Sequence, residues 1–186
     1  LQPWKKWAEK VSEVCCLIEV DSHCVLPRPV FGKSLDRPFK FRKATDDQMR
    51  ARVGRKWPIV REEVRRMPES WTPPFDPVDV RLELSKDGGA ELLSKCEIDP
   101  TVVAVTGVTG GSSYAIEHWE NWCDSGIRSY HMKRNNAALS DGVSRMSPWI
   151  HYGMISTTRM VRDASSIGGK GAEKFLDEML VFREHA

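Results

Sequence analysis

The chain has 186 residues with a formal net charge of +2, and 40% of its residues are hydrophobic while 29% are charged. This is the composition of a globular protein, which excludes a disordered or fibrous chain. The longest apolar runs, such as Val102–Val105, are far too short to span a bilayer, and the N-terminal residues lack the basic and apolar regions of a signal peptide. Because the chain starts at Leu1 rather than Met and stops within a helical pattern, we expect it to be a fragment of a longer protein.

The charges are unevenly distributed along the chain. Residues 37–66 hold eleven Lys and Arg against four Asp and Glu, and residues 128–170 hold seven against two, whereas residues 83–124 hold two against eight. Such runs are usually only solvated faces, but two basic blocks around an acidic one also suit an anionic partner. The five cysteines lack the spacing of a disulfide framework, so we expect a reducing intracellular setting.

The first residues predict the end of an α/β unit. Residues 4–14 place Trp and Val side chains at helical spacing, and Cys15–Val20 is a short run typical of a buried strand. A helix followed by a strand is what remains when the earlier part of an α/β domain is removed. The prolines between Pro27 and Pro38 then predict an extended stretch that cannot be a regular helix.

The middle of the chain predicts a connector. Residues 44–67 have a helical pattern with a break at Pro58, and the prolines of residues 68–77 indicate a linker. Residues 78–109 hold only short apolar pieces, of which Val102–Val105 is predicted to form a short strand. Long connections of this kind usually have a structural or functional reason in a compact protein.

The second half predicts a compact bundle of helices joined by short loops. Its helices have apolar residues at three- and four-residue steps, and each is bounded by a capping residue or a glycine. The predicted N-terminal residues are Ser112 or Ser113, Ser147 and Ser156, and the predicted ends are Gly126, Gly153 and Gly168. The last helix is predicted to bury Phe175, Leu176, Met179 and Phe182.

The segment Asp141–Pro148 combines groups that suit a diphosphate. Ser144 and Ser147 lead into a predicted helix, whose N-terminus would offer unpaired N–H groups and a partial positive charge. Together with the Arg145 guanidinium, two hydroxyls at such a terminus would bind phosphate oxygens. The alternative is that Ser147 serves only as a helix cap and Arg145 only as a surface charge.

Several parts of the sequence resemble the photolyase/cryptochrome family, and in detail its class II photolyases. Residues 143–156 read Val-Ser-Arg-Met-Ser-Pro-Trp-Ile-His-Tyr-Gly-Met-Ile-Ser, where the family has Thr-Ser-x-Leu-Ser-Pro-Tyr-Leu-His-Phe-Gly-x-Leu-Ser. Gly110–Ser112 is similar to the family's glycine-rich helix start, and residues 175–184 resemble its substrate-facing helix. Residues 18–27 resemble the exit from its N-terminal antenna domain.

The resemblance implies a mainly α fold made of three parts. Residues 1–26 would be the remnant of an α/β antenna domain, and residues 27–109 a long interdomain connector. Residues 110–186 would be the N-terminal part of an all-helical, photolyase-type FAD-binding domain that is incomplete here. FAD is the expected cofactor of the full-length protein, and the resemblance specifies no antenna chromophore. On its own, this chain is expected neither to hold FAD tightly nor to repair DNA.

The resemblance also implies roles for individual residues. Glu178 would be the catalytic residue that lines the active cavity, and Arg134, four residues after Tyr130, would contact the DNA backbone. No metal-binding residues are predicted. The residues expected to bind the cofactor are Tyr130, Val143, Ser144, Arg145, Met146, Ser147 and Arg183.

The implied function is light-driven DNA repair, in which excited reduced flavin passes an electron to a pyrimidine dimer and the dimer splits. The dimer would be flipped out of the duplex to reach a buried cofactor, and a damaged pair is easier to extrude. The expected partner is damaged DNA. We expect a monomer without membrane association, located in a DNA-containing compartment such as the nucleus or an organelle.

Departures from the family pattern leave two alternatives open. Val143 replaces the usual Thr and so removes one hydroxyl, Phe182 lies near a position often occupied by Trp, and His185 stands where the family continues with an aromatic residue. The first two changes favour a degenerate, non-catalytic family member, whereas the retained Arg134 and Glu178 favour repair. A cryptochrome-like flavin photoreceptor, which signals through partners, is the other alternative.

Overall fold

A computed structural model describes residues 2–13, 16, 20–27, 35–55, 70, 72–99 and 101–185. Throughout these ranges the regular structure is helical and no β-strand occurs, which confirms the predicted mainly α fold class. The predicted strand at Cys15–Val20 falls largely outside the described residues, as does the predicted break at Pro58. No described helix is both long and apolar enough to cross a membrane.

The described helices follow one another with short or irregular connections. Their bounds are α1 Gln2–Ser12, α2 Pro38–Gly54, α3 Val80–Asp87, α4 Ala90–Ser94, α5 Ser112–Ser125, α6 Tyr130–Lys133, α7 Ser147–His151, α8 Thr157–Ile167, α9 Gly169–Asp177 and α10 Arg183–His185. A 3-10 turn, Ile127–Ser129, lies between α5 and α6, and a π-helical segment, Glu178–Phe182, lies between α9 and α10.

The chain divides into two compact units, one of residues 1–56 with 109–186 and one of residues 57–108. In the second unit, α3 and α4 are short and bury none of their residues. The predicted strand at Val102–Val105 is wrong, because these residues form a bend and irregular backbone, with Val103 83% exposed. A strand needs a neighbouring strand to satisfy its backbone groups, and none is found among the described residues.

Helix α2 belongs to the first unit and begins earlier than its periodicity predicts. Pro38 occupies the first turn, where proline is tolerated because the N–H that it lacks has no partner inside the helix. Its buried face is formed by Phe41, Thr45 and Met49 at four-residue steps. The helix ends at Gly54 and Arg55 is extended, so the predicted helical run is interrupted there, and residues 56–67 lie outside the described part of the chain.

The core of the first unit is built around the tryptophans of α5. Trp119 is fully buried, its ring centroid lies 5.3 Å from that of Phe175 in α9, and its Nε1 donates to Asp163 of α8 at 2.9 Å. The predicted inward faces of these helices are therefore confirmed for most positions. The other buried hydrophobic residues of α5, α8 and α9 are Ala115, Trp122, Met160, Val161, Ala164 and Ala172.

The predicted helix termini are confirmed at Ser156, Gly126 and Gly168 and are wrong for the starts of α5 and α7. Gly111 precedes α5, so Ser112 is its first helical residue and neither Ser112 nor Ser113 is its cap. Ser156 caps α8 by accepting a hydrogen bond from the Arg159 N–H, and Gly126 directly follows α5, as predicted. Ser147 is the first helical residue of α7 rather than its cap, and Met146 precedes it. The Ser147 hydroxyl makes no capping hydrogen bond, so it remains available to other groups.

The π-helical segment changes which side chains face the core. Arg183 N–H bonds to the Glu178 carbonyl five residues back, and this wider turn shifts the register of the helix. As a result Val181 is buried, whereas Phe182 is 45% exposed. The prediction that Phe182 faces inward is therefore wrong, because it assumed a continuous α-helical period.

Two glycines allow close approach of packed elements. An added Cβ at Gly171 of α9 would lie 2.0 Å from the Ile127 carbonyl oxygen, and one at Gly126 would lie 2.3 Å from the Trp122 indole nitrogen. Both distances are far below van der Waals contact, and neither neighbour can move freely because both belong to the core. Gly171 lets α9 lie directly against the 3-10 turn, and Gly126 leaves room for the Trp122 indole.

We expect Gly171→Ala to lower the free energy of unfolding by about 1–3 kcal/mol or more, because the new methyl group forces a backbone shift. Gly54→Ala is the matched control, since an added Cβ at Gly54 meets nothing within 4 Å. That variant should leave stability unchanged or raise it by at most about 1 kcal/mol. Urea titration of both variants checks this; equal stabilities would contradict the close packing of α9.

Candidate functional site

An ion pair joins the two residues that the sequence assigns to DNA binding and catalysis. Arg134 directly follows α6, and Glu178 is the first residue of the π-helical segment. The Arg134 Nη1 atom lies 3.0 Å from Glu178 Oε1, and the two side chains are 29% and 28% exposed. The structure therefore brings together two predicted site residues that are far apart in sequence, at a place that solvent reaches.

This ion pair is one end of a row of alternating charges. Lys174 Nζ lies 3.0 Å from Glu178 Oε1 and 2.8 Å from Asp177 Oδ2, and Asp177 also pairs with Arg42 of α2. The hydrogen bond to Asp177 raises the pKa of Lys174, and the bond to Glu178 adds to this, so the ammonium stays charged. The charged row, defined as Arg134, Glu178, Lys174, Asp177 and Arg42, has one more cation than anions.

Tyr130, the predicted contact to the cofactor's phosphate region, lies next to the charged row. Its half-buried ring makes edge contacts with Trp122 and Phe175, at centroid distances of 5.6 and 5.8 Å. Burial raises the pKa of the Tyr130 phenol, the charge of Glu178 adds to this, and Arg134 opposes it. The phenol is therefore a neutral hydrogen-bond donor at neutral pH, close to the Arg134–Glu178 pair.

The loop between α6 and α7 contains the residues predicted to bind a diphosphate, and Lys133 anchors it in two ways. Lys133 Nζ lies 2.9 Å from Asp141 Oδ2. Gly142 also packs on the Lys133 carbonyl oxygen so closely that a Cβ there would come within 3.0 Å. Since Lys133 immediately precedes Arg134, one short helix holds both the loop and the charged row.

The backbone of this loop is held in an unusual conformation at Arg145. Its φ is 53°, in the left-handed region that costs a non-glycine residue about 1–3 kcal/mol and persists only when the surrounding structure holds it. His118 Nε2 donates to the Ser144 carbonyl oxygen at 2.9 Å, and Arg145 Nε donates to the Ser140 carbonyl oxygen at 3.2 Å. These bonds stabilise the turn while leaving the terminal nitrogens of Arg145 exposed.

The predicted loop residues differ in what they can offer a ligand. The hydroxyl groups of Ser144 and Ser147 have no hydrogen-bond partner within the described part of the chain. Val143 is 38% exposed, whereas the Met146 side chain is buried in the core, so only the Met146 backbone is available. Helix α7 has five residues, so the partial charge predicted at its N-terminus is small and the hydroxyls matter more.

Arg183, predicted to bind the cofactor, contacts a different segment. Its Nη2 donates to His23 Nε2 at 2.8 Å and to the His23 carbonyl oxygen at 3.2 Å, and its Nη1 lies 3.1 Å from Glu184 Oε1. No contact among the described residues brings Arg183 to the loop at residues 143–147. In this structure Arg183 holds the segment around His23 against the start of α10.

Glu184 is a buried acid that the sequence reasoning missed. Its side chain is 2% exposed, and its carboxylate accepts hydrogen bonds from the backbone N–H groups of Val25 at 2.9 Å and Leu26 at 3.2 Å. Burial raises the pKa of Glu184, and the two amide hydrogen bonds oppose this. No local pattern signals the contact, because the partners are 159 and 158 residues away in the chain.

A cavity of about 580 Å³ lies between α2 and the region of α9 and the π-helical segment. Its walls include the apolar Met49, Val53 and Leu176 and the charged Arg50 and Glu173. None of the residues predicted to bind FAD lines this cavity. Sequence patterns do not predict it, because it is formed by helices that are far apart in the chain.

Comparison with known proteins adds no assignment. No protein-family model matches the sequence, and no curated protein matches it. A functional conclusion therefore depends on the residues described above and on the sequence resemblance.

We expect Glu184→Gln to lower the free energy of unfolding by about 1–3 kcal/mol at acidic pH, because the Gln NH2 group cannot accept from the second backbone N–H, whereas the hydroxyl oxygen of the protonated Glu184 carboxyl can. Since the pKa of Glu184 is raised in the folded protein, the folded state binds the proton more tightly than the unfolded state. Its contribution to stability is thus full below the unfolded pKa of about 4.3 and is lost as pH rises through the folded pKa.

The free energy of unfolding of wild type should therefore exceed that of Glu184→Gln by less and less as pH rises from about 4 to 7. Urea titrations of both proteins across this range measure the difference. Glu173→Gln is the matched control, because Glu173 is exposed and has no ion pair among the described residues. An advantage that grows with pH would contradict the raised pKa of Glu184.

Proposed function

We propose that this chain is part of the helical FAD-binding domain of a photolyase-like protein that repairs pyrimidine dimers in DNA. In this proposal residues 1–26 are the end of an antenna domain, residues 27–109 the connector and residues 110–186 the first part of the FAD-binding domain. The protein would act on damaged DNA as a monomer in an intracellular, DNA-containing compartment. The observation that carries the proposal is the contact between Arg134 and Glu178 beside Tyr130.

That contact supports the proposal because its residues come from two separate matched stretches of sequence: Tyr130 and Arg134 from one, and Glu178 from the other. The family resemblance assigns Tyr130 to the cofactor, Arg134 to the DNA backbone and Glu178 to the active cavity, and a chance match to short motifs would not be expected to bring the two stretches together. Arg134 supplies a guanidinium suited to a DNA phosphate, and Tyr130 supplies a neutral phenol donor. Glu178 supplies a carboxylate at a solvent-accessible position between them and Lys174.

The loop residues fit the diphosphate of FAD. Ser144 and Ser147 offer hydroxyls without partners among the described residues, and Arg145 offers exposed guanidinium nitrogens. These three residues would hold the diphosphate, with Val143 as an apolar neighbour. When bound, FAD would supply the light-driven electron transfer that splits the dimer, while the chain supplies binding, orientation and charge.

Two observations favour the alternative of a degenerate or purely photosensory family member. Arg183, expected at the cofactor, is engaged by His23 and Glu184, so it is not free for a ligand in this arrangement. Val143 also lacks the hydroxyl that the family usually has. A family member that signals or serves as a scaffold would tolerate both changes.

Removing the loop hydroxyls tests the cofactor assignment. We expect the double variant Ser144→Ala with Ser147→Ala, made in the full-length protein, to bind FAD about tenfold or more weakly, because two hydrogen bonds to a charged group are lost. Flavin absorbance after dialysis measures retention. Ser125→Ala, an exposed serine on α5, is the control. Equal retention by all three proteins would remove the diphosphate role from the loop.

Replacing Arg134 tests the DNA assignment. In the full-length protein, Arg134→Ala should weaken binding to dimer-containing DNA and reduce the salt slope by about one unit, while FAD stays bound. Arg128→Ala removes the same charge from an exposed residue without an ion pair among those described, and it should have a smaller effect. Unchanged affinity and slope for Arg134→Ala would contradict a phosphate contact.

A further inference from the structure

Two cations share one oxygen of Glu178. Arg134 Nη1 and Lys174 Nζ both lie 3.0 Å from Glu178 Oε1, and they approach it from different elements. Lys174 precedes Glu178 by four residues and so lies on the same helical face, whereas Arg134 comes from the end of α6. Glu178 can therefore lose Arg134 and still keep a charged partner.

Arg134 is not free for a phosphate while this contact exists. Its side chain is 29% exposed, and the carboxylate occupies part of the same donor edge that would bind a phosphate oxygen. A DNA phosphate must therefore compete with Glu178 for the guanidinium. Partly exposed ion pairs are weak, so such an exchange would be readily reversible.

The surrounding charges favour the exchange. The charged row has one cation more than it has anions, because Arg42 and Lys174 neutralise Asp177 and Glu178 without Arg134. An incoming phosphate therefore meets a surplus positive charge at Arg134. After the exchange every carboxylate of the charged row still has a cation beside it.

We propose that a DNA phosphate displaces Glu178 from Arg134, so that binding of the DNA backbone releases the Glu178 carboxylate toward the lesion. This inference rests on the proposed function and adds a regulatory step to it: Glu178 is withheld until DNA is bound. Lys174 is the positioning residue that keeps the released carboxylate charged and near its place. No side chain outside the described site is required.

The experiment uses the full-length protein and a DNA duplex with one pyrimidine dimer, with affinity measured by fluorescence anisotropy. Glu178→Gln removes the competing charge, and Glu178→Asp keeps the charge but shortens the side chain by one methylene. Each Glu178 variant is made in two backgrounds, one with Arg134 present and one with Arg134→Ala. Glu173→Gln is the charge control, because Glu173 lies on α9 and has no ion pair among the described residues. Circular dichroism checks that each variant folds.

Exchange predicts that both Glu178 variants bind DNA about two- to fivefold more tightly than wild type, and that this gain disappears with Arg134→Ala. Glu173→Gln should give a smaller gain that persists with Arg134→Ala. Two results would overturn the exchange while leaving the DNA contact of Arg134 in place. In the first, Arg134→Ala weakens DNA binding but neither Glu178 variant tightens it. In the second, the gain in DNA affinity of the Glu178 variants persists when Arg134→Ala is also present. If Arg134→Ala leaves binding unchanged in every background, the exchange and the proposed DNA contact are both overturned.

Discussion

The contact between Gly171 and the Ile127 carbonyl oxygen is the constraint on which the proposed site depends. Only glycine leaves room for this approach, which holds α9 against the 3-10 turn. Glu178 lies two helical turns beyond Gly171, and Arg134 lies equally far beyond Ile127 in sequence. The segment after Ile127 and the segment after Gly171 run alongside each other from this close contact. They therefore meet again at the ion pair between Arg134 and Glu178. The position of the ion pair thus follows from backbone packing rather than from the ion pair itself.

The short helix α6 connects the two parts of the proposed site. Tyr130 at its start packs on the core aromatic residues, and Arg134 at its end meets Glu178. Lys133, between them, anchors the following loop through Asp141. A shift of α6 would therefore move the loop hydroxyls and the charged row together. This coupling is a physical reason to treat them as one site.

The sequence predicts well the features that depend on local periodicity and capping. The buried face around Trp119 and the cap at Ser156 follow from helical spacing and from a serine hydroxyl near free N–H groups. The sequence fails where distant segments decide the outcome. An apolar run such as Val102–Val105 forms a strand only with a partner, Phe182 turns outward because of a π-helical turn, and the partners of Glu184 lie at the other end of the chain. The Arg134–Glu178 contact is predicted only in part. The resemblance implies a role for each of the two residues, but it does not imply that they form an ion pair.

The most direct test of the account is light-dependent repair of a dimer-containing DNA duplex by the full-length protein. Dimer content is measured after incubation in the light and in the dark, with protein purified together with its bound flavin. The account predicts that dimers disappear under illumination and persist in the dark. A protein that retains FAD and binds the duplex, yet leaves the dimers intact in the light, would contradict a repair function.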